Sequence, residues 1–246
     1  MTMLKIEVQR KAFPGRNGTA ETTVLQDIDL TIPPGQLLGI LGPSGCGKTT
    51  LLNLIAGLER SFEGKIATTG GDETGIPRIG YVFQNPALLP WRTVIENLTV
   101  VMTPDKADRE TAKSLLEAMG LSGYGDAYPK DLSLGMSRRV AIARAFAVDP
   151  ELLLLDEPFV SLDEDTAARL RALLLKLWRE RQPTIVFVTH DTREAIELAQ
   201  RVVVLSKGPA TVIADMEVDL AREERGNSVE IERWRERLLQ YANRGK

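Results

Sequence analysis

The sequence predicts an α/β fold with a core of parallel strands, an antiparallel β subdomain and a helical insertion subdomain. Three observations carry that reading. Short apolar runs alternate with longer segments of helical period, the order of a sheet covered by helices. The run 152–155 is four leucines, the composition of a parallel strand buried on both faces. The apolar run 37–41 leads straight into glycines and then into a helix, which is how a strand delivers its carboxyl end to a ligand-binding turn.

Taken in order, segments 5–8 and 24–32 read as strands. Ile28, Leu30 and Ile32 alternate with polar neighbours at the period of a half-buried strand. Pro33-Pro34-Gly35 is a turn. Strand 37–41 follows, and a helix runs from Thr49 to about Ala56, where Gly57 stops it. Segments 65–67 and 79–83 are strands around a Gly-rich loop at 70–75. From Trp91 to about Ala147 the pattern is mostly helical. There, 111–119 is amphipathic and ends at Gly120, and 137–148 is rich in Ala and Arg. After the leucine strand come a helix at 166–180 and buried strands at 184–188 and 202–205. This order predicts one domain over 1–220, with the helical subdomain at about 86–147 inside it, and a C-terminal segment over 221–246. In that segment the charged run 222–225 reads as a solvated linker. Ile231, Trp234, Leu238 and Tyr241 then share one helical face, which fits either packing on the same domain or a regulatory or dimer contact.

Length and composition bound the function. The 246 residues exceed one typical domain and fall short of two. Apolar residues are 43% and charged residues 26%, ordinary for a globular chain, which excludes a disordered or collagen-like protein. With 31 basic and 34 acidic side chains the net charge is −3, so the chain lacks the overall basic footprint of a duplex-DNA binder and no nucleic-acid partner is expected. A single cysteine, Cys46, cannot form an intrachain disulfide, in keeping with a reducing compartment. The first ten residues lack the apolar core of a secretory signal. The longest uncharged stretch, 30–47, holds Pro33, Pro34 and Pro43 and five glycines and reads as strand and loop rather than a membrane span. If the protein works at a membrane, another chain must provide the spans.

Gly42-Pro43-Ser44-Gly45-Cys46-Gly47-Lys48-Thr49, with Thr50 following, matches the G-x-x-x-x-G-K-[ST] phosphate loop. Its glycines allow a tight turn whose successive N–H groups point at a phosphate. The helix that starts at Thr49 adds the positive end of its dipole. Lys48 is expected to reach the β- and γ-phosphates of ATP, and the Thr49 hydroxyl to ligate Mg²⁺. The predicted core is therefore that of a P-loop NTPase, RecA-like in type. Cys46 has two readings: a reactive thiol activated by the helix N-terminus, or a small side chain that packs without blocking the phosphate. On either reading a thiol reagent is expected to inactivate the protein and ATP to protect it.

The leucine strand ends in Asp156-Glu157-Pro158. A carboxylate at the end of a buried strand sits at the sheet edge where open α/β folds bind ligands. Asp156 is placed to hold Mg²⁺ through water, and Glu157 to take a proton from an attacking water. Taken alone, the pair fits a helix N-cap or a surface turn equally well; the phosphate loop in the same chain favours the catalytic reading.

The phosphate loop, Gln84, Leu132-Ser133-Leu134-Gly135-Met136, Leu154-Leu155-Asp156-Glu157-Pro158, Ser161-Leu162-Asp163 and His190 occur in one order, over nearly the whole chain. Together they resemble the ATPase subunits of ABC transporters. The resemblance implies that Gln84 senses Mg²⁺ and the γ-phosphate, and that His190, the only histidine, stabilises the charge that develops in hydrolysis. It implies that Phe13 stacks on adenine; the alternative is a core residue of the first β layer. It further implies that Ser133 and Gly135 approach the γ-phosphate held by a second subunit. Here the sequence departs from the family's usual L-S-G-G-Q, with Leu134 at the first glycine and Met136 at the glutamine. A leucine forced to positive φ would be strained.

By the same resemblance two subunits pair head-to-tail about a two-fold axis, with two ATP molecules buried between them and Asp163 at the interface. The uncharged loop Gln84-Asn85-Pro86-Ala87-Leu88-Leu89-Pro90-Trp91 fits either a helical-subdomain core or a groove that docks a cytoplasmic helix of a membrane partner. This loop, Thr189-His190-Asp191 with Glu194-Ala195, and Leu205-Ser206-Lys207-Gly208-Pro209-Ala210 resemble importers of nitrate, sulfonates and taurine in particular. The implied protein is the peripheral ATPase of such an importer, at the cytoplasmic face of the inner membrane. Its partners are a transmembrane permease and, indirectly, a periplasmic solute-binding protein. The alternative is a soluble ABC ATPase with no transport role.

Overall fold

A computed structural model describes residues 2–15, 20–70, 77–103, 108–221, 225 and 227–244. The expected Gly-rich loop at 70–75, most of the charged run 222–225 and the Tyr241 side chain fall outside the described residues. The chain divides into two compact units, one made of 1–70 with 184–246 and the other of 71–183.

The first unit opens with an antiparallel sheet of β1 (Met3–Phe13), β2 (Thr22–Ile32) and β4 (Glu63–Thr69), with β1 in the middle. β1 and the second half of β2 bury alternate residues, as a one-faced sheet does, while β4 buries none fully. Leu4 faces Ile32, Ile6 faces Leu30 and Val8 faces Ile28, all buried. The same unit carries three parallel strands, β7 (Thr184–Thr189), β3 (Leu37–Leu41) and β8 (Arg201–Leu205), with β9 (Val212–Glu217) antiparallel to β8. Every residue of β3 and β7 is buried. Arg201 on β8 grips Asp215 on β9 through two short bonds, 2.6 and 2.5 Å, and gives a third to the Thr31 carbonyl of β2 at 2.7 Å.

Helices α1 (Lys48–Ile55), α6 (Thr192–Leu198) and α7 (Ser228–Arg244) complete the unit. The expected apolar face of α7 packs at home: Ile231, Trp234 and Leu238 are buried where α7 meets α6 and β9. Arg225 departs from the solvated linker expected of its charged surroundings. It is buried and donates to the backbone carbonyls of Leu220, Ile196, Ala199 and Val218, so a cation is tied down by neutral acceptors.

The second unit holds the parallel pair β5 (Ile79–Val82) and β6 (Leu152–Asp156). With it go α2 (Val94–Thr99), α3 (Arg109–Ala118), α4 (Leu134–Ala147) and α5 (Glu164–Arg181). Each of these helices starts at a side-chain cap: Thr93, Asp108, Ser133 and Asp163. Ser133 moves the start of α4 three residues ahead of the expected 137, so the unusual Leu134 is its first residue. Among the described residues no helix is long and apolar enough to cross a membrane.

Packing of α4 on β5 depends on Gly80. A Cβ there would lie 2.4 Å from the Ala145 carbonyl oxygen, which is backbone and cannot swing aside. Gly80→Ala is expected to lower the urea midpoint by the equivalent of about 1–3 kcal/mol, the usual cost of overpacking. An unchanged midpoint would mean that α4 can slide without cost.

Candidate functional site

In the first unit the register of β3 on β7 sets the site. Leu41 pairs with Thr189, so Gly42 and His190 are the next residues on two adjacent parallel strands. The phosphate loop therefore leaves the sheet beside His190. The loop turns at Gly45 (φ 76°) and Gly47 (φ 114°). Gly47 is required twice over: its φ is left-handed, and a Cβ would lie 2.7 Å from Val24 Cγ1 and 2.8 Å from Leu25 Cδ2 on β2.

Lys48 opens α1 and is buried. Its ammonium donates to the Gly42 carbonyl at 2.8 Å and the Pro43 carbonyl at 3.0 Å. Both bonds orient the ammonium at the N-terminus of α1, the end of a helix that favours an anion. Pro43, Ser44, Thr49 and Thr50 lie on the same loop and first helical turn.

The Cys46 side chain turns inward. It is 2% exposed, and a Cβ on Gly42 would lie 3.0 Å from its Sγ. Of the two readings of this thiol the structure supports packing: its backbone belongs to the phosphate loop and its sulfur to the core. In the native protein without ATP, Cys46 is expected to react with a thiol reagent far more slowly than in urea, and ATP is expected to add little protection. Rapid labelling of the native protein would contradict that packing.

His190 is exposed at the end of β7, but its backbone is held on both sides. Thr189 Oγ1 donates to Glu194 Oε2 at 2.5 Å and accepts from the Asp191 N–H at 3.0 Å. Asp191 in turn caps α6 by accepting from the Arg193 N–H. A cleft of about 500 Å³ beside His190 is lined by Asp191, Thr192 and Arg193 with Ile231, Glu232 and Arg235 of α7. Phe13, at the end of β1, is 38% exposed rather than part of the β-layer core. The Lys11 ammonium sits 4.2 Å from its ring centroid and is itself fixed by the Ser61 carbonyl at 2.7 Å and Glu59 at 3.2 Å.

The second unit repeats the logic. Val82 pairs with Leu155, so Gln84 and the Asp156-Glu157 pair leave adjacent strands at the same edge. Asp156 is buried at the last position of β6; burial, with the Asp156 charge adding to it, pushes the Tyr81 hydroxyl well above its ordinary value. Glu157 has φ 43°, a left-handed conformation that a non-glycine residue adopts only when its surroundings enforce it.

Downstream of Gln84 the loop is stapled from beneath. Fully buried Asn97 accepts from the Leu89 N–H and donates to the carbonyls of Leu89, Arg92 and Thr93. Arg144 donates to the carbonyls of Pro86 and Ala87, both at 2.9 Å. Trp91 stays 71% exposed, so it is no core residue.

Ser133 caps α4 through the Met136 N–H at 3.2 Å. Leu134 does not have positive φ, so it carries none of the strain that a left-handed leucine would. Gly135 is needed for approach: a Cβ would lie 2.9 Å from Thr166 Cγ2, next to the Asp163 cap of α5. With no backbone strain to relieve and Leu134 45% exposed, Leu134→Gly is expected to leave ATP turnover within about twofold of wild type. A large loss would reveal a contact that Leu134 makes with a second chain.

Sequence reasoning did not single out Arg138, Arg144, Asn97 or Thr189 as supports of these segments. The helix was legible as rich in Ala and Arg, but nothing in its period tells a buried arginine from a solvated one.

Comparison with known proteins agrees with the geometry. The family profile "ABC transporter" matches residues 25–160. The aliphatic sulfonates import ATP-binding protein SsuB of Bacillus licheniformis is 44% identical over 220 residues, 88% of this chain and 85% of that protein. An uncharacterized ABC transporter ATP-binding protein of Methanocaldococcus jannaschii is 42% identical over 241 residues, 96% of this chain and 90% of that one. Among solved structures, an ATP-binding cassette in a dimeric post-hydrolysis state bound to ADP and Pi superposes with a TM-score of 0.76 at 31% identity, over 89% of this chain and all of that one.

Proposed function

The chain belongs to the ABC transporter family, and from that premise we propose that it is the ATP-binding and hydrolysing subunit that energises an importer of a small anion, in the class of sulfonates, taurine or nitrate. One observation carries the reading: a phosphate loop with a buried lysine leaves its strand beside the strand that ends in His190. The names of the sulfonate-import relatives support the importer assignment.

In this reading Gly42 to Thr50 cradle the phosphates of ATP, Lys48 neutralises the β- and γ-oxygens, and Phe13 offers the adenine a ring face. The donors assigned to Mg²⁺ are the Thr49 hydroxyl, the Gln84 amide oxygen and the Asp156 carboxylate. These are hard oxygen donors with few charges, the set that suits an ion which also binds phosphate. When bound, Mg²⁺ would stabilise charge on the phosphate oxygens during displacement. Glu157 takes the proton of the attacking water. His190 faces the γ-phosphate and stabilises its developing charge.

Ser133 and Gly135 serve the nucleotide of a second copy. The dipole of α4 and the Ser133 hydroxyl point positive charge at it, and Asp163 lies at the contact between copies. The exposed loop ending at Trp91 docks a cytoplasmic helix of a permease, which places the subunit at the cytoplasmic face of the membrane. A periplasmic binding protein delivers the solute to that permease.

Two experiments test this. Glu157→Gln should bind ATP, form a dimer on a sizing column in MgATP and turn over very slowly; a monomer at saturating ATP would count against it. A tagged pull-down from native membranes in mild detergent should recover a multi-span permease. Recovery of soluble partners alone would favour an ABC ATPase without a transport role.

A further inference from the structure

Two non-glycine residues of the second unit hold left-handed backbones in the segments assigned to chemistry: Glu157 at φ 43° and Ala87, three residues after Gln84, at φ 48°. Each such residue costs about 1–3 kcal/mol unless its surroundings over-determine it. The surroundings are supplied by one helix. Arg138 of α4, buried, donates through Nη1 to the Glu157 carbonyl at 3.3 Å and to the Pro158 carbonyl at 3.0 Å. Arg144 of the same helix donates through Nη1 to the Ala87 carbonyl and through Nη2 to the Pro86 carbonyl, both at 2.9 Å.

We propose that Arg138 and Arg144 are positioning residues of the ATPase. Through the rigid helix that starts at Ser133, they hold the Gln84 loop and the Glu157 turn in one fixed relation, so that a shift of either segment is felt by the other. The inference rests on the reading of Gln84 and Glu157 as site residues.

Three physical points support it. All four acceptors are main-chain carbonyls, so each arginine fixes backbone and not a side chain that could swing away. At Arg144 the planar guanidinium engages two adjacent carbonyls through two different nitrogens in a fixed fork, whereas at Arg138 both bonds leave one Nη1. The two arginines are six residues apart, about 9 Å along a helix axis, so a rod and not a flexible loop sets the distance between the two segments. The helix also begins at the Ser133 cap, so an event at that end reaches both segments through one body.

The test uses the full-length protein and Arg144→Lys, a half-buried position where the variant keeps charge and fold. Turnover should fall about tenfold while the KM for ATP stays within about threefold, the signature of lost positioning rather than lost binding. Amide hydrogen exchange should rise at 84–91, which Arg144 touches, and also at 157–161, which it does not. Arg138→Lys should give the reverse pattern of touched and untouched segments. The double variant should fall no further than about the worse single one, because both act through one helix.

Faster exchange confined to 84–91, or losses of turnover that multiply independently, would overturn the inference. Glu157→Gln run in parallel separates the two levels. If it keeps normal turnover, the base assignment has failed. If it is inactive while Arg144→Lys and Arg138→Lys retain wild-type turnover, only the role of the arginines has failed.

Discussion

Parallel register is the constraint from which the candidate segments of each unit follow. Parallel strands send their carboxyl ends to one edge, and a slip of one residue would turn every side chain to the other face. The register is pinned by burial on both faces of β3, β6 and β7. It is pinned sterically as well: Gly39 on β3 faces the Phe187 ring of β7, where a Cβ would approach to 2.9 Å. Once Leu41 is locked to Thr189, the phosphate loop and His190 must leave side by side. Once Val82 is locked to Leu155, Gln84 and Asp156 must do the same. The core thus fixes where the chemistry sits without taking part in it.

What the strands cannot fix is the conformation of the chain beyond their ends. There the molecule relies on hydrogen bonds to backbone groups. Thr189 and Glu194 brace the turn at His190. Asn97 staples the turns on either side of Trp91. Arg138 and Arg144 brace Glu157 and Ala87, two of the left-handed non-glycine positions of the second unit. Bonds to main chain suit this purpose, because a buried carbonyl needs a donor in any case and gains a fixed direction with it.

Much of this was legible in the sequence. The phosphate loop, the acids after the leucine strand and His190 were located by motif, and β3, β6 and β7 by unbroken apolar runs. The sequence also signalled α4 and the apolar face of α7. Other parts were hidden for physical reasons. Helix α6 has only seven residues, too few to display a period, and was passed over although Asp191 caps it. Strand β9 has one buried side chain, Ala214, so it lacked an apolar run. The burial of Arg225 runs against its charged neighbours and depends on four carbonyls contributed by segments before it in the chain. Long-range acceptors of this kind leave no trace in local composition. Leu134 shows the opposite failure: judged by the family's glycine it seemed a candidate for strain, yet Ser133 begins the helix there and right-handed backbone suits leucine.

The cations near these segments share one trait that bears on how an anion can be handled. Lys48 and Arg144 are both desolvated, and the bonds described for each go to carbonyl oxygens rather than to a carboxylate. A carbonyl orients a cation through its own dipole. At the phosphate loop the ammonium so oriented lies at the N-terminal, positive end of α1. At Arg144 the same arrangement serves a mechanical end, because the guanidinium is held by the loop it organises. One chemical device, a cation bonded to main-chain carbonyls, therefore recurs in both units: at the phosphate loop in one and on the loop after Gln84 in the other.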